Sequence, residues 1–216
     1  MDSWYGWFRQ LWIERWKKTW QERNFRYRFI ATLLFLFLTV CSVTRFLNWA
    51  EKRPGTKIRD PILSLFTAQD VHWIIFTIIY LAVFVGLIHL SQNPKKFLLA
   101  LQAYILLLFA RMTSIYLLPL EAPVNLIPLQ DPFLESLSSR VLTKDLFFSG
   151  HTSTLFLIYL SSSGRIIRIF FLSCTILVTF FILMQHVHYS IDVMAAPFFS
   201  YSCYHFSIFI ARKFNQ

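Results

Sequence analysis

Charged residues are scarce in this chain, since Asp, Glu, Lys and Arg make up only 15% of its 216 residues. Soluble domains carry about 25% charged residues. This scarcity, together with a hydrophobic fraction of 56%, excludes an ordinary soluble domain and a disordered chain. Cysteine is also rare, and Cys41, Cys174 and Cys203 all fall within apolar stretches. We therefore expect small core residues at these positions, with no disulfide, metal or cofactor.

Long apolar runs are abundant instead. Six of them are long enough to cross about 30 Å of hydrocarbon as helices of about 20 residues. They lie at residues 28–48, 71–91, 97–118, 147–163, 167–187 and 189–210, and the fourth is the least apolar because Ser and Thr dilute it. The sequence therefore predicts an all-α, polytopic integral membrane protein with a six-helix transmembrane domain over residues 28–212.

The Lys and Arg residues predict the orientation, because they are in excess in cytoplasmic loops. Thirteen lie in the N-terminal segment, the second–third and fourth–fifth connections and the C-terminal tail, whereas seven lie in the first and third connections. Both termini should therefore be cytoplasmic. Because the excess positive charge flanks the predicted spans, we expect contact with the bilayer and not with nucleic acid.

Residues 1–27 form a basic segment whose tryptophans share one helical face: Trp4, Trp12, Trp16 and Trp20. Such a helix should lie in the headgroup region, with its indoles at the interface and its cations on anionic lipid. A helix that binds a partner protein is the alternative interpretation.

Two charged side chains, Arg111 and Asp192, lie inside predicted spans. An ionisable group costs about 2.5–3.5 kcal/mol there on insertion scales, so it indicates function. His151, His186 and His188 lie at the ends of neighbouring spans, and the predicted topology puts all five residues near the non-cytoplasmic face.

Several of these residues are of the types that transfer phosphoryl groups. His188 and Asp192 are four residues apart, so on a helix they share one face, where the carboxylate can orient the imidazole as a nucleophile. Ser149 and Gly150 precede His151 at a helix N-terminus. Backbone N–H groups there favour a phosphate, and a histidine there can protonate a leaving oxygen.

Each residue also has a plainer interpretation. Arg111 would supply a positive charge to the phosphoryl oxygens, yet a lone arginine can also snorkel outward without a role. His151 alone fits a helix cap, and a His-x3-Asp pair often arises by chance. The spacing of three His and one Asp matches no familiar zinc pattern.

Two segments resemble the signature motifs of the sphingomyelin synthase family, which belongs to the type-2 phosphatidic-acid phosphatase superfamily. They are residues 145–152 (DLFFSGHT) and residues 186–193 (HVHYSIDV), with a third match at residues 111–113 (RMT) and 118–119 (LP). The first connection, at residues 53–55 (RPG) and 60–61 (DP), is a looser likeness. The resemblance covers about residues 28–210. It implies a six-span enzyme whose site faces the periplasm, a lumen or the cell exterior.

By position, the resemblance makes His188 the nucleophile, Asp192 its orienting partner and His151 the general acid and then base. The implied reaction moves a phosphorylated head group from a glycerophospholipid to a lipid hydroxyl, usually that of ceramide, through a phosphohistidine and without a metal. Substrate contacts are assigned to Arg111, Lys144, Asp145, Ser149, Gly150, His186 and Tyr189.

Three positions depart from the family's pattern. Val187 stands where an acidic residue is usual, Ser190 where Thr is usual, and Lys144 where a small residue is common. Because Val187 removes a negative charge beside the nucleophile, phosphocholine, phosphoethanolamine and phosphoinositol all stay open as head groups.

A lipid phosphatase or a phospholipase C-type hydrolase using the same site is the alternative reaction. The phosphatase branch carries additional basic residues, but Ile182 stands six positions before His188. Fewer cations favour a phosphodiester over a phosphomonoester dianion, unless Lys144 or Arg140 fills the gap. A non-enzymatic membrane scaffold is the remaining alternative, although no catalytic residue is missing.

The third connection, residues 119–145, contains Pro119, Pro123, Pro128 and Pro132 and is predicted to form a semi-rigid lid. The remaining histidines, His72, His89 and His205, are predicted to be structural.

Overall fold

The computed structural model describes residues 2–129 and 143–213, with side chains from Gln10 onward. Within those residues the regular structure is all helical, with no β-strand. The α-helices are α1 (Asp2–Gln21), α2 (Arg23–Ala50), α3 (His72–Ser91), α4 (Pro94–Leu117), α5 (Gly150–Ser161), α6 (Arg165–Met184) and α7 (Ser190–Lys213), and a 3-10 turn lies at Leu63–Leu65. The predicted all-α class is confirmed.

Five helices, α2, α3, α4, α6 and α7, are long and apolar enough to cross a membrane. The predicted fourth span, 147–163, is shorter than expected, because α5 has 12 residues. Such a helix is about 18 Å long at about 1.5 Å per residue. It does not cross about 30 Å of hydrocarbon by itself. The count of six spans and the side on which the termini lie stay predictions.

The short helix α5 packs against α3, α4, α6 and α7. Leu155 is fully buried with Ile75 and Phe171 in the largest apolar cluster. On another side of α5, the Ser200 hydroxyl of α7 donates to the Ser153 carbonyl at 2.8 Å. Since four helices surround α5, its Thr152, Ser153 and Ser161 side chains are buried in protein instead of facing lipid.

The basic N-terminal helix α1 is docked on one end of the bundle. A break at Glu22 separates it from α2. The indole N–H groups of Trp12 and Trp16 both donate to the carbonyl of Ser91, the last residue of α3, at 2.9 and 2.7 Å. The side chain of Trp4 lies outside the described residues. The interfacial position of this helix stays a prediction.

The first and third connections meet at the opposite end. Thr56 and Leu120 form an isolated parallel bridge, in which the Thr56 N–H donates to the Pro119 carbonyl at 2.9 Å. Of the predicted lid, residues 119–129 and 143–145 are described, and Pro132 and Arg140 lie outside the described residues.

All three cysteines are free thiols. Cys174 and Cys203 are buried, as predicted, but Cys41 on α2 is exposed. The prediction was wrong for Cys41 because an apolar run looks the same whether its side chains face lipid or protein.

Candidate functional site

The starts of α5 and α7 meet at the end of the bundle away from α1. The N–H of Ser149, the residue before α5, donates at 3.2 Å to the carbonyl of Asp192 in the first turn of α7. This contact joins segments 145–152 and 186–193, which carry the two histidine motifs. His151, His188 and Asp192 therefore lie near one junction.

His188 and Asp192 are in contact, as their spacing predicts, but they do not share a helix face. Because α7 begins at Ser190, His188 lies in the connection before the helix. Its Nδ1 is 3.1 Å from Asp192 Oδ2, and the same oxygen accepts the Tyr189 N–H at 3.2 Å. Asp192 thus reaches back over the helix start as the acid of a capping box does. A carboxylate only accepts hydrogen bonds, so the contact assigns the proton of neutral His188 to Nδ1 and a lone pair to Nε2.

The pair is removed from solvent. Asp192 is 0% exposed and His188 is 3% exposed. The second carboxylate oxygen, Asp192 Oδ1, has no hydrogen-bond partner among the described residues. Buried polar atoms are rarely left this way, and the exceptions are often found where a protein performs chemistry.

Arg111 holds the segment that precedes α5. Its Nε donates to Asp145 Oδ1 at 3.0 Å, and its Nη2 lies 2.7 Å from Asp145 Oδ2, so the pair is bidentate. Its Nη1 also donates to the Phe148 carbonyl. Gly150 leaves room for this guanidinium, because a Cβ there would lie 2.9 Å from Arg111 Cζ. Arg111 is therefore engaged with the protein itself.

Asp145 is the carboxylate that pairs with the Arg111 guanidinium. Its burial alone would raise its pKa, but the Arg111 guanidinium holds the pKa below the ordinary value of 3.8. His188 and His151 lower the same pKa further, so both rings lie within electrostatic reach of Asp145. The carboxylate is ionised at neutral pH and offsets the charge of Arg111.

The first turn of α5 carries His151, whose ring meets Phe76 of α3 edge to face at 6.2 Å between ring centroids. The Ser149 side chain caps the helix by accepting the Thr152 N–H at 3.3 Å. Phe147, with φ of 96°, turns the chain into this cap. Because the first N–H groups of a helix have no intrahelical acceptor, the start of α5 favours an anion.

Lys144 and Tyr189, both predicted to contact substrate, meet the third connection. Lys144 Nζ pairs with Glu121 Oε1 at 2.8 Å and donates to the Arg53 carbonyl at 2.7 Å. The Lys144 ammonium lowers the pKa of Glu121. The Tyr189 hydroxyl donates to the Glu121 carbonyl at 2.9 Å. Both side chains thus fasten loops around the junction.

His186, which the resemblance assigns to substrate, contacts the third connection in the structure. Its Nδ1–H donates to the Val124 carbonyl at 3.1 Å, and its ring meets Phe66 at 5.4 Å. Over the described part of the chain, no three His, Cys, Asp or Glu side chains are grouped as a metal ion would require.

No role was assigned from the sequence to two polar residues at this end of the bundle, Gln185 and Asp60. The fully buried Gln185 side chain accepts the Val71 N–H and donates to the Ile127 carbonyl, each at 3.3 Å. Asp60 accepts the Ser190 N–H at 2.6 Å and so caps α7 from the first connection. A polar residue directly after an apolar run was the available signal for Gln185, whereas Asp60 shares no periodic pattern with its partner.

Comparison with known proteins adds one relationship. No curated protein and no solved structure matches the chain. The family model of the PAP2 superfamily C-terminal domain matches residues 144–209, a range that includes α5, α6 and most of α7. The match supports lipid phosphatase or phosphotransferase-type chemistry in an integral membrane protein. Residues 144–209, which contain both histidine motifs, are thus similar to the PAP2 superfamily C-terminal domain.

Proposed function

We propose that the chain is a membrane phosphotransferase that moves a phosphorylated head group from a glycerophospholipid to a lipid hydroxyl. The acceptor is a ceramide-like or diacylglycerol-like lipid. The observation that carries the proposal is the buried His188–Asp192 pair, which lies across the start of α7. His151 is in the first turn of α5, the helix whose start contacts Asp192 through Ser149.

In the first step, His188 Nε2 attacks the phosphorus of the donor diester. The bond between phosphorus and the diacylglycerol oxygen breaks, and protonated His151 gives its proton to that oxygen. Asp192 stabilises the positive charge that develops on the His188 ring. The products of this step are diacylglycerol and a head-group phosphate bound to His188.

In the second step, the acceptor hydroxyl gives its proton to His151 while its oxygen attacks the same phosphorus. The bond between phosphorus and His188 Nε2 then breaks. The head group leaves on the acceptor lipid, and both histidines return to their starting protonation states. The dipole of α5 and the first N–H groups of that helix stabilise the phosphoryl oxygens.

The charges around the junction favour a diester donor. Among the described residues, Arg111 is paired with Asp145, and Lys144 is paired with Glu121. Each of these two cations is thus offset by a carboxylate, so neither offers a full positive charge to a phosphomonoester dianion. A phosphodiester carries one negative charge and needs less compensation.

The orientation belongs to the same proposal. The excess of Lys and Arg in the N-terminal segment, alternate connections and tail supports cytoplasmic termini and six spans, with α5 as the fourth. The junction of α5 and α7 then opens on the non-cytoplasmic side, where it meets lipids of that leaflet.

Hydrolysis is the second candidate, and the match of residues 144–209 to the PAP2 superfamily favours it. Water would take the place of the acceptor hydroxyl in the second step. A lipid phosphatase would act on phosphatidic acid, whereas a phospholipase C-type enzyme would act on the diester.

The reaction is tested with purified protein in mixed micelles. Head-group-labelled phosphatidylcholine or phosphatidylethanolamine is supplied with or without ceramide or diacylglycerol, and labelled products are separated by mass. We expect a labelled lipid product that requires the acceptor and is absent with His188→Ala. Labelled head-group phosphate without any acceptor dependence would identify a hydrolase, and inorganic phosphate from phosphatidic acid alone would identify a phosphatase. Silence with every donor would favour a scaffold.

A further inference from the structure

A groove of about 440 Å³ lies between α2, α4 and α7, away from the histidine junction. Its lining includes Arg28, Thr32, Phe35, Gln102, Leu106 and Ile210. Ile210 follows Asp192 by 18 residues on α7, or about 27 Å at about 1.5 Å per residue. The groove is therefore at the α1 end of the bundle and does not overlap the proposed active site.

The walls of the groove are apolar apart from groups that already bond within the bundle. Gln102 Nε2 donates to Thr32 Oγ1 at 3.2 Å, linking α4 to α2. The Ser207 hydroxyl, which also borders the groove, donates to the Leu99 carbonyl at 3.2 Å. Apart from Arg28, the remaining lining is aliphatic and aromatic, so a hydrocarbon chain meets suitable walls along it.

A positive charge marks one end of the groove. Arg28, Thr32 and Phe35 are spaced by four and three residues, so they follow one face of α2 from its N-terminal end inward. Other cations lie at the same end of the bundle: Arg23, Arg212 and Lys213. Such a cluster at the end of membrane helices attracts anionic phospholipid in preference to zwitterionic phospholipid.

We infer that this groove binds one anionic phospholipid, with its phosphate at Arg28 and an acyl chain along the face that includes Thr32 and Phe35. Charge complementarity at one end and apolar walls beyond it match the two parts of that ligand. The bound lipid is separate from the lipid donor of the proposed reaction, because it lies at the opposite end of the helices.

Native mass spectrometry of the full chain tests this inference. The protein is released from detergent with added phosphatidylglycerol or phosphatidylcholine of identical acyl chains. We expect one tightly retained phosphatidylglycerol and weaker retention of phosphatidylcholine. Arg28→Gln should weaken phosphatidylglycerol binding about tenfold and weaken phosphatidylcholine binding less, because the choline cation already offsets the charge of its phosphate. Arg26→Gln, an exposed cation outside the lining, is the matched control.

A second variant tests the groove without changing charge. Ala31 borders the groove, so Ala31→Phe should fill it and reduce retention of phosphatidylglycerol. Equal retention of the two lipids by the wild type, or equal effects of Arg28→Gln and Arg26→Gln, would overturn recognition of the anionic head group. Unchanged binding in Ala31→Phe would place the lipid elsewhere. None of these measurements depends on turnover, so they test the lipid-binding groove independently of the proposed reaction.

Discussion

Asp192 performs two tasks with one carboxylate oxygen. Its Oδ2 contacts the His188 ring and also accepts the Tyr189 N–H at the start of α7. The second contact fixes the carboxylate by the backbone, so the imidazole is oriented by a group that does not itself rotate freely. Full burial of Asp192 strengthens the interaction, because water does not compete for the oxygen.

Asp192→Asn should lower turnover about 10³–10⁴-fold without loss of membrane insertion. The amide can donate where the carboxylate only accepts, so it permits the wrong tautomer of His188. Initial rates of head-group transfer measure the effect. Asp70→Asn is the control, because Asp70 makes the same kind of contact with a histidine, His72, at 2.6 Å in an exposed pair that has no part in the proposed site. Equal rates in the two variants would contradict the role of Asp192.

Arg111 and Asp145 should act as one unit. Arg111→Lys replaces a bidentate guanidinium by a point charge. Asp145→Asn removes the negative charge that the guanidinium binds. Each substitution should therefore lower turnover by about tenfold or more. The double variant should be little worse than either single variant, because both changes break the same contact. Rates of the three variants form the cycle. If the loss of turnover in the double variant equalled the product of the two single losses, Arg111 would act on substrate independently of Asp145.

At the scale of elements, α7 is held at its start by groups from outside the helix. Asp60 of the first connection accepts the Ser190 N–H, and the Ser149 N–H before α5 reaches the Asp192 carbonyl. The two connections that frame the junction are thus joined to the helix whose first turn carries Asp192. Moving either connection would move His188 relative to His151.

The Asp60 cap should give stability a pH dependence. Partial burial acts to raise the Asp60 pKa, but hydrogen bonds from Ser190, Leu63 and Ile62 bring the pKa below its ordinary value of 3.8. A carboxyl with a depressed pKa stabilises the fold above its ordinary pKa, and that stability is lost as pH falls through the folded-state pKa. Near neutral pH the wild type should therefore have a higher melting temperature than Asp60→Asn, and the difference between the two melting temperatures should disappear below pH 3.8. Thermal melts in detergent measure it, and a gap independent of pH would refute the cap.

The α1 helix should be dispensable for insertion. Its indole hydrogen bonds go to Ser91, and Trp16 packs against Phe25 and Phe29 at the start of α2. These contacts lie at one end of the bundle and leave the junction of α5 and α7 untouched. Protease protection of a chain lacking residues 2–21 should match that of the full chain. Loss of protected fragments would mean that α1 is needed to assemble the bundle.

At the scale of the whole molecule, apolar runs predicted the five long helices because hydrophobicity and length suffice for them. The length of α5 was not predictable in this way. Arg111 holds Asp145 and the Phe148 carbonyl, so the residues before Gly150 follow a contact with α4 instead of continuing a helix. No local pattern contains that partner.

The candidate site was also predictable only in its local contacts. Spacing predicted the contact between His188 and Asp192, which is local. It did not predict that α7 begins between them, since the cap comes from Asp60 across 130 residues of sequence. Buried Gln185 likewise joins segments that are remote in the chain. The sequence thus predicted which residue types form the site, but it did not predict the long-range contacts that position them.

The central claim is that His188 carries the head group between two lipids. The most direct measurement is the intact mass of the protein after incubation with phosphatidylcholine or phosphatidylethanolamine and no acceptor, with tandem fragmentation to locate any added mass. We expect a head-group phosphate on His188 that is acid-labile, is removed by added acceptor, and is absent from His188→Ala. It should be present in the control His89→Ala, because His89 lies in the last turn of α3, at the other end of the bundle. Transfer to an acceptor that survives in His188→Ala, or an adduct on another residue, would contradict it.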